Sequence, residues 1–466
     1  MPRALRATVP LVVAVLAAEV AVLLLRPRSG VIAPARVSAS DMFSPAQIER
    51  ARGFRNPQLA LYGVGLALEA GLLVLLVARP PAALTRARRR PLVAGAATGA
   101  ALSLALTAVT LPLGAISHAR ARDVGLATQD WGGWSVDVLR SAGIGAVIAG
   151  AGGALGTGLL RRFPRRWWVP GTAAVVLVAG GFIFAGPILL DPLFNRFTPL
   201  PAGPTRTQVL DLARRAGVQV GEVYAVDASR RTSGANAYVT GLGRTKRVVL
   251  YDTLLERYPA AETRSVVAHE LGHVHYSDVP RGLLYLLLVA PFGTWAVFRL
   301  TRTWSPPTLR GAPAHAALPA LVLALGVVST PMTWASNQLS RRVEARADSF
   351  ALELTRDPRA FIGFEKRIVV DNVADPDPPG WVSFLLGTHP SGVDRIGAAE
   401  AFRAYPARSA RPVRPIRGAG NHPIRSTHHR CAFTDRAAPG IHGSTTPHAH
   451  PCRDRPFSRR RPRAGP

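Results

Sequence analysis

The chain has 466 residues, of which 48% are hydrophobic, and it carries a formal net charge of +29. This combination is typical of an integral membrane protein and argues against a soluble globular domain. The two cysteines, Cys431 and Cys452, both lie near the C-terminus, which excludes a disulfide framework or a thiolate metal site in the main body. Any metal site there must use His, Asp or Glu side chains.

Seven apolar runs are long enough to cross a bilayer, which takes about 20 residues per helix. The first follows MPRALR, a basic start that a signal peptide would also show, but the run is long and ends at RPR rather than at small residues. We therefore predict an uncleaved span. The fourth, AGIGAVIAGAGGALGTGLL, is rich in small residues, which predicts close approach of a neighbouring helix. The seven predicted spans are residues 7–25, 57–79, 91–117, 136–160, 167–190, 281–299 and 315–337.

Two segments between and after these spans have the composition of soluble protein, residues 191–280 and 338–405. In the first, TRTQVLDLARRAG predicts a helix, and EVYAVDA (222–228) and RVVLYDTLL (247–255) predict strands. The Gly-rich stretch SGANAYVTGLGRT lies between the two strands. The second segment begins as a helical continuation of the seventh span, SNQLSRRVEARADSFALELT.

The character of the chain changes at about Tyr405. Beyond that residue there are thirteen Arg against two Asp, many Pro, six of the twelve His, and no apolar periodicity. We predict a disordered basic tail over 405–466. Its positive charge could bind anionic lipid or nucleic acid non-specifically, and we expect no specific nucleic-acid partner. The predicted organisation is therefore an N-terminal membrane region (1–190), a catalytic region with two further spans (191–404) and this tail.

The stretch VVAHELGHVHYSD, residues 266–278, indicates a metal site. On a helix, residues four apart lie on one face, so His269 and His273 can point their rings at one ion. Glu270 lies beside the first histidine, where a carboxylate can act as general base toward water. A surface helix that carries two histidines by chance is the alternative, but the flanking apolar and small residues indicate a buried helix.

A catalytic zinc ion needs a third protein ligand, and without cysteine a carboxylate is the natural candidate. We predict Glu344, in RRVEARADSF, as that ligand. Asp348 is one turn further along the same face, so it can accept the spare N–H of a ligating histidine. The competing ligand is His275, but two residues from His273 it faces a different side of the helix.

Several further motifs occur in a fixed order around these residues. They are FSPAQIERARGFRNP (43–57), DPLFNRFTPLP, NAYVTGLGRTKRVVLYDTLL, HELGH, EARADSFAL and THPSGVDRI, with five spans before and two spans between. In this order the sequence, over about residues 35 to 403, resembles the type I CAAX prenyl proteases and their bacterial relatives. These are gluzincin-type integral membrane zinc metalloproteases.

The resemblance implies a fold and a set of roles. The fold would be predominantly α-helical and multi-pass, with about seven transmembrane helices around a chamber and a small α+β zincin-like catalytic domain. One Zn²⁺ per chain would be held by His269, His273 and Glu344, with Glu270 as general base and Asp348 behind the ligands. The other positions implied are Asn236, Ala237 and Tyr238 on a substrate-binding edge strand, and His389 and Arg395 lining the cleft.

The implied function is a membrane-embedded zinc endopeptidase that cleaves membrane-associated or lipidated, CAAX-like polypeptides. Two alternatives stay open: a quality-control protease for membrane proteins, and a catalytically silent scaffold of the same fold. The implied location is the cell membrane, with the catalytic segments cytoplasmic. Arginines in the short loops 86–90 and 161–166 oppose that orientation, whereas the six arginines of 26–56 favour it.

Overall fold

The structure is a computed structural model, and it describes residues 3–241, 246–304 and 311–404. The predicted basic tail lies outside the described residues, as do the last positions of the Gly-rich stretch before the second predicted strand. The described α-helices are α1 (Arg3–Leu25), α2 (Ala39–Met42), α3 (Pro45–Ala78), α4 (Ala82–Thr85), α5 (Pro91–Asp123), α6 (Trp131–Arg162), α7 (Trp168–Leu189), α8 (Asp191–Phe194), α9 (Pro204–Arg215), α10 (Asp252–Arg257), α11 (Ala260–His275), α12 (Asp278–Trp304), α13 (Leu318–Thr355), α14 (Pro358–Asp371), α15 (Gly380–Leu385) and α16 (Gly392–Ala404).

The prediction of seven spans is confirmed within the described residues. Helices α1, α3, α5, α6, α7, α12 and α13 are each long and apolar enough to cross a bilayer. Their outward faces carry large exposed apolar side chains, for example Leu139, Val147 and Leu177, which a bilayer would cover. The predicted multi-pass α-helical class is therefore confirmed, whereas the chamber and the domain boundary at residue 190 stay predictions.

Helices α3 and α13 extend furthest beyond their predicted spans. Helix α3 begins at Pro45, twelve residues before the predicted start, because Ser44 and Gln47 form a reciprocal capping box and Pro57 is accommodated inside the helix. Helix α13 continues from the seventh span to Thr355 without a break. The EARADSF motif therefore lies on a direct extension of a membrane helix.

Small residues bring the membrane helices together. Helix α1 packs against α12 and α13 through Ala14, Ala18 and Ala21, all nearly inaccessible to solvent. A Cβ placed on Gly153 of α6 would lie 2.3 Å from the Gly95 carbonyl oxygen of α5, a distance that no side chain permits. The close approach predicted from the Gly-rich fourth span is thus present between α5 and α6.

A four-stranded sheet lies in the segment between α7 and α12. Its strands are β1 (Phe197–Pro199), β2 (Glu222–Val226), β3 (Ala237–Thr240) and β4 (Arg247–Tyr251). The order is β1-β2-β4-β3, with β2 and β4 parallel and the two outer pairs antiparallel. The second predicted strand is shorter than expected, because the chain turns into α10 at Asp252. Helix α11 packs against β3, α9, α13 and α14, so the predicted metal motif is anchored in the core of this region.

Candidate active site

Helix α11 places His269 and His273 one turn apart on a face that meets α13. The contact is tight because Gly272 lies between the two histidines. A Cβ there would be 3.1 Å from Phe350 Cδ1 and 3.3 Å from the Ala347 Cα, so a larger residue would push the helices apart. Gly272 therefore allows α11 and α13 to lie close enough for a side chain of α13 to reach the two histidines.

The predicted third ligand lies at that contact. Glu344 Oε2 is 3.1 Å from His269 Nε2 and 3.6 Å from His273 Nε2. The two Nε2 atoms are themselves 3.2 Å apart. Among the described residues these three side chains form a group whose potential ligand atoms lie within 4.8 Å of one another. The structure thus brings together the three residues predicted from the sequence.

The protonation of the rings shows whether this cluster suits a metal ion. His269 Nδ1 lies 2.8 Å from Asp348 Oδ1, and His273 Nδ1 lies 3.1 Å from Asp278 Oδ2. Because a carboxylate accepts, Nδ1 carries the proton of each neutral ring and Nε2 keeps a lone pair. Two lone pairs and the Glu344 carboxylate then face one point, an unfavourable arrangement without a cation. The donor set fits a metal ion with two nitrogen ligands and one oxygen ligand.

The electrostatics of the two rings lead to the same conclusion. Burial alone lowers the pKa of His269, but hydrogen bonds with Asp348 and Glu344 outweigh it and raise the pKa to about 10. Burial likewise lowers the pKa of His273, and hydrogen bonds with Asp278 and Glu344 raise it to about 9. The surrounding carboxylates therefore favour positive charge at this point, which a divalent cation supplies in place of protons.

Glu270 differs from the other carboxylates of the site in having no hydrogen-bond or ion-pair partner among the described residues. Its side chain is half-buried and makes no hydrogen bond or ion pair with the described part of the chain. Burial raises the pKa of Glu270, although the neighbouring His269 and His273 lower it in part. A carboxylate with free lone pairs and a raised pKa beside the ligands is suited to accept a proton.

Arg395 lies behind the ligands. Its Nε donates to Asp348 Oδ2 at 2.9 Å, and its Nη1 is 2.9 Å from Glu365 Oε1. Its Nη2 lies 3.5 Å from His269 Nδ1. Burial raises the pKa of Glu365 to about 7, against the attraction of Arg395. The structure thus connects Arg395 to His269 through Asp348, as one buried chain of charges.

His389 approaches the cluster from the other side. Its Nε2 lies 3.2 Å from Glu344 Oε2, and 56% of its side chain is exposed. It follows α15, whose carboxyl end is held by α13: Asn337 donates to the Leu385 carbonyl at 2.7 Å, and Arg341 donates to the Ser383 and Gly387 carbonyls at 2.7 and 2.6 Å.

Sequence reasoning missed Asn337, Arg341 and Asp278. The first two share a stripe of α13 with Glu344 and Asp348, since positions 337, 341, 344 and 348 follow helical spacing. That spacing was the available signal. Asp278 stands five residues after His273, past a turn in which Ser277 has a φ of 55°, so helical spacing could not reveal it.

His275, the competing ligand, points away from the cluster. Its Nδ1 lies 2.9 Å from the Ala216 carbonyl oxygen, and its ring packs against Phe350. It does not belong to the group of converging ligands.

The predicted substrate strand lies at the edge of the sheet. Strand β3 pairs with β4 on one side, and no other described strand pairs with its second side. Ala237 and Tyr238 belong to β3, whereas Asn236 immediately precedes it and uses its own Oδ1 to accept from the Ala237 amide. The edge is adjacent to the helix that carries the histidines, because β3 packs against α11.

Comparison with known proteins identifies relatives of this chain. The family model described as peptidase family M48 matches residues 199–403. The chain is 34% identical to the uncharacterized metalloprotease YhfN of Bacillus subtilis, over 64% of this chain and 71% of that protein. It is 29% identical to the probable CAAX prenyl protease 1 of Schizosaccharomyces pombe, over 57% of this chain and 56% of the relative, so it covers little more than half of that protein.

A solved structure shares the fold. The crystal structure of Ste24p from S. mikatae aligns with a TM-score of 0.66 at 19% identity, covering 86% of this chain and 99% of that one. The arrangement of helices and the small sheet therefore recurs at low sequence identity. Together with the matched region around His269, His273 and Glu344, these similarities show that the chain belongs to peptidase family M48 and is a multi-pass membrane metalloprotease.

Proposed function

We propose that this protein is a zinc endopeptidase that cleaves membrane-associated polypeptides. The observation that carries the proposal is the convergence of the Nε2 atoms of His269 and His273 and the carboxylate of Glu344 on one point. These residues would hold one zinc ion per chain. Zinc, when bound, would act as a Lewis acid that lowers the pKa of water and polarises the scissile carbonyl.

The side chains of this protein supply the proton transfers. Glu270 has no competing partner within the described chain, so its carboxylate would take a proton from the attacking water and deliver it to the leaving amine. Its raised pKa favours the second transfer, because a stronger base holds the proton until the amine leaves. Glu270 is therefore proposed as general base and not as a ligand.

Asp348, Arg395 and His389 are proposed to support this reaction. Asp348 would fix the tautomer of His269, and Arg395 would hold Asp348 in place, as their contacts suggest. His389 is half-exposed and touches Glu344, which suits a side chain that donates to the oxyanion of the substrate. The edge of β3, with Asn236, Ala237 and Tyr238, would bind extended peptide through backbone hydrogen bonds, which tolerates varied sequences.

The substrate proposed is a membrane-associated or lipidated polypeptide, including CAAX-like termini. Several relatives are named CAAX prenyl protease 1, which supports this class, and the seven membrane helices would keep the site at the bilayer. We place the protein in the cell membrane with the catalytic segments cytoplasmic, which the arginine-rich segment 26–56 supports. Protection of segment 191–280 from protease in inside-out vesicles would contradict that orientation.

The proposed activity has a direct test. Purified protein should contain about one zinc per chain and cleave either a farnesylated CAAX peptide or unfolded casein. Cleavage of the prenylated peptide alone would support CAAX processing, and cleavage of casein alone would support quality control. A zinc-free protein that gains no activity on addition of zinc would refute the proposed endopeptidase activity. That result would favour the alternative, a catalytically silent scaffold of the same fold.

We expect Arg341 to matter because it fixes the segment that carries His389. Arg341→Ala removes the donors to the Ser383 and Gly387 carbonyls, and the resulting displacement of His389 should lower kcat by on the order of 10- to 100-fold. Zinc content should not change, because no ligand is altered.

The matched control is Arg342→Ala, since Arg342 is exposed and has no ion pair or side-chain hydrogen bond with the described residues. In a His389→Ala background, Arg341→Ala should cause no further loss, because the arginine acts through the histidine. A full additional loss in that background would show that Arg341 has a different role.

A further inference from the structure

A cavity far from the metal site opens at the opposite end of the membrane helices. It has a volume of about 740 Å³ and lies between the end of α3, the segment that connects α3 to α5, the start of α5 and the turn before α13. Along α5 its wall is apolar, formed by Val93, Ala97, Ala101 and Leu102. Val93 is 60% exposed, so the cavity is open toward the side of the helix bundle.

The polar end of this cavity is strongly basic. Arg88, Arg89 and Arg90 line it, and all three are exposed. In the described part of the chain, none of the three forms an ion pair or a side-chain hydrogen bond. The connecting segment 79–90 contains five arginines and no acidic residue. Unneutralised guanidinium groups at the end of an apolar groove complement an anionic headgroup followed by an acyl chain.

A buried histidine also lines the cavity. His315 lines it and is 2% exposed, and its side chain forms a hydrogen bond with the backbone of Leu84. Its Nδ1 has no hydrogen-bond partner among the described residues. His315 therefore ties the start of α13 to the segment 79–90 that carries the arginines.

The position of segment 79–90 relative to the bilayer indicates which kind of anion would bind its arginines. Residues 79–90 join the candidate spans Pro45–Ala78 and Pro91–Asp123, so the arginines lie where the hydrocarbon of the bilayer ends. The apolar wall continues from them toward the bilayer interior along α5. We propose that this cavity is a binding site for an anionic phospholipid, with the phosphate at Arg88–Arg90 and one acyl chain along Val93, Ala97 and Ala101.

Direct binding tests the proposal independently of peptidase activity. Purified full-length protein should retain palmitoyl-oleoyl phosphatidylglycerol in preference to the phosphatidylcholine analogue, as counted by native mass spectrometry. The triple variant Arg88→Gln/Arg89→Gln/Arg90→Gln should bind the anionic lipid roughly 100-fold more weakly, since each arginine near the surface contributes about 1 kcal/mol. Ala97→Phe, which fills the groove and keeps the charge, should also weaken binding of the lipid but not of inorganic phosphate.

The matched control removes the same charge elsewhere at that end of the spans. Arg161→Gln/Arg165→Gln/Arg166→Gln changes three exposed arginines around the connection from α6 to α7 and should leave binding unchanged. Equal loss in both triple variants, or equal retention of the two lipids, would overturn the site. Lipid binding that survives Ala97→Phe, together with tight binding of inorganic phosphate, would show a phosphate site instead. Unchanged zinc content verifies that each variant is folded.

Discussion

Glu270→Gln should leave the metal bound and remove most of the peptidase activity. Glutamine is nearly isosteric with glutamate, and Glu270 makes no hydrogen bond or ion pair with the described residues that the substitution would break. An amide cannot accept the proton of water, however, and general acid–base catalysis contributes on the order of 10²- to 10⁴-fold. We therefore expect kcat to fall by about that factor, measured with a farnesylated CAAX peptide and with unfolded casein, while zinc content stays at one per chain.

The control for this variant is Glu256→Gln on α10, an exposed glutamate with no ion pair in the described chain. It removes the same charge from the same region and should keep full activity. Proteomic comparison of membranes that contain wild-type protein or Glu270→Gln would then identify natural substrates as proteins that accumulate in the variant. A zinc-loaded Glu270→Gln protein that cleaves at the wild-type rate would assign the base to another residue.

The membrane helices and the metal motif were readable from the sequence for simple geometric reasons. A bilayer imposes a length on each apolar run, so the count of seven required no knowledge of packing. The pair His269 and His273 repeats at helical spacing, so its shared face follows from the helix alone. Glu344 could be predicted because its motif continues the helical pattern of the seventh span, and because both cysteines lie near the C-terminus, which left a carboxylate as the third ligand.

The residues that support the ligands were harder to predict, because their partners come from elements whose relative placement is tertiary. Arg341 bonds to carbonyls of α15, and nothing near Arg341 in sequence indicates where that short helix lies. The bonds of Arg395 to Asp348 and Glu365, two buried carboxylates on other helices, likewise could not be predicted from the segment that carries Arg395. Helix α3 began earlier than its apolar run because a capping box, rather than hydrophobicity, determines where that helix starts.

Removal of Glu344 should have the second large effect, loss of the metal together with activity. Glu344→Ala leaves two histidines, which cannot hold zinc as three ligands do. We expect zinc affinity to fall by more than about 100-fold, because even residues that only orient a ligand typically contribute roughly 10- to 100-fold. Asp348→Asn, which keeps all three ligands but weakens the hold on His269, should show that smaller effect. Zinc titration against a competing chelator measures both.

Glu353→Ala is the matched control, because Glu353 is a half-buried glutamate on the same helix with no ion pair or hydrogen bond in the described chain. It should keep zinc and activity, which separates loss of a ligand from loss of helix stability. His269→Ala should resemble Glu344→Ala in losing both properties, in contrast to Glu270→Gln, which should lose activity alone. If Glu344→Ala retained one zinc per chain at wild-type affinity, the third ligand would have to be another residue, and His389, at 3.2 Å from the Glu344 carboxylate, would be the first to test.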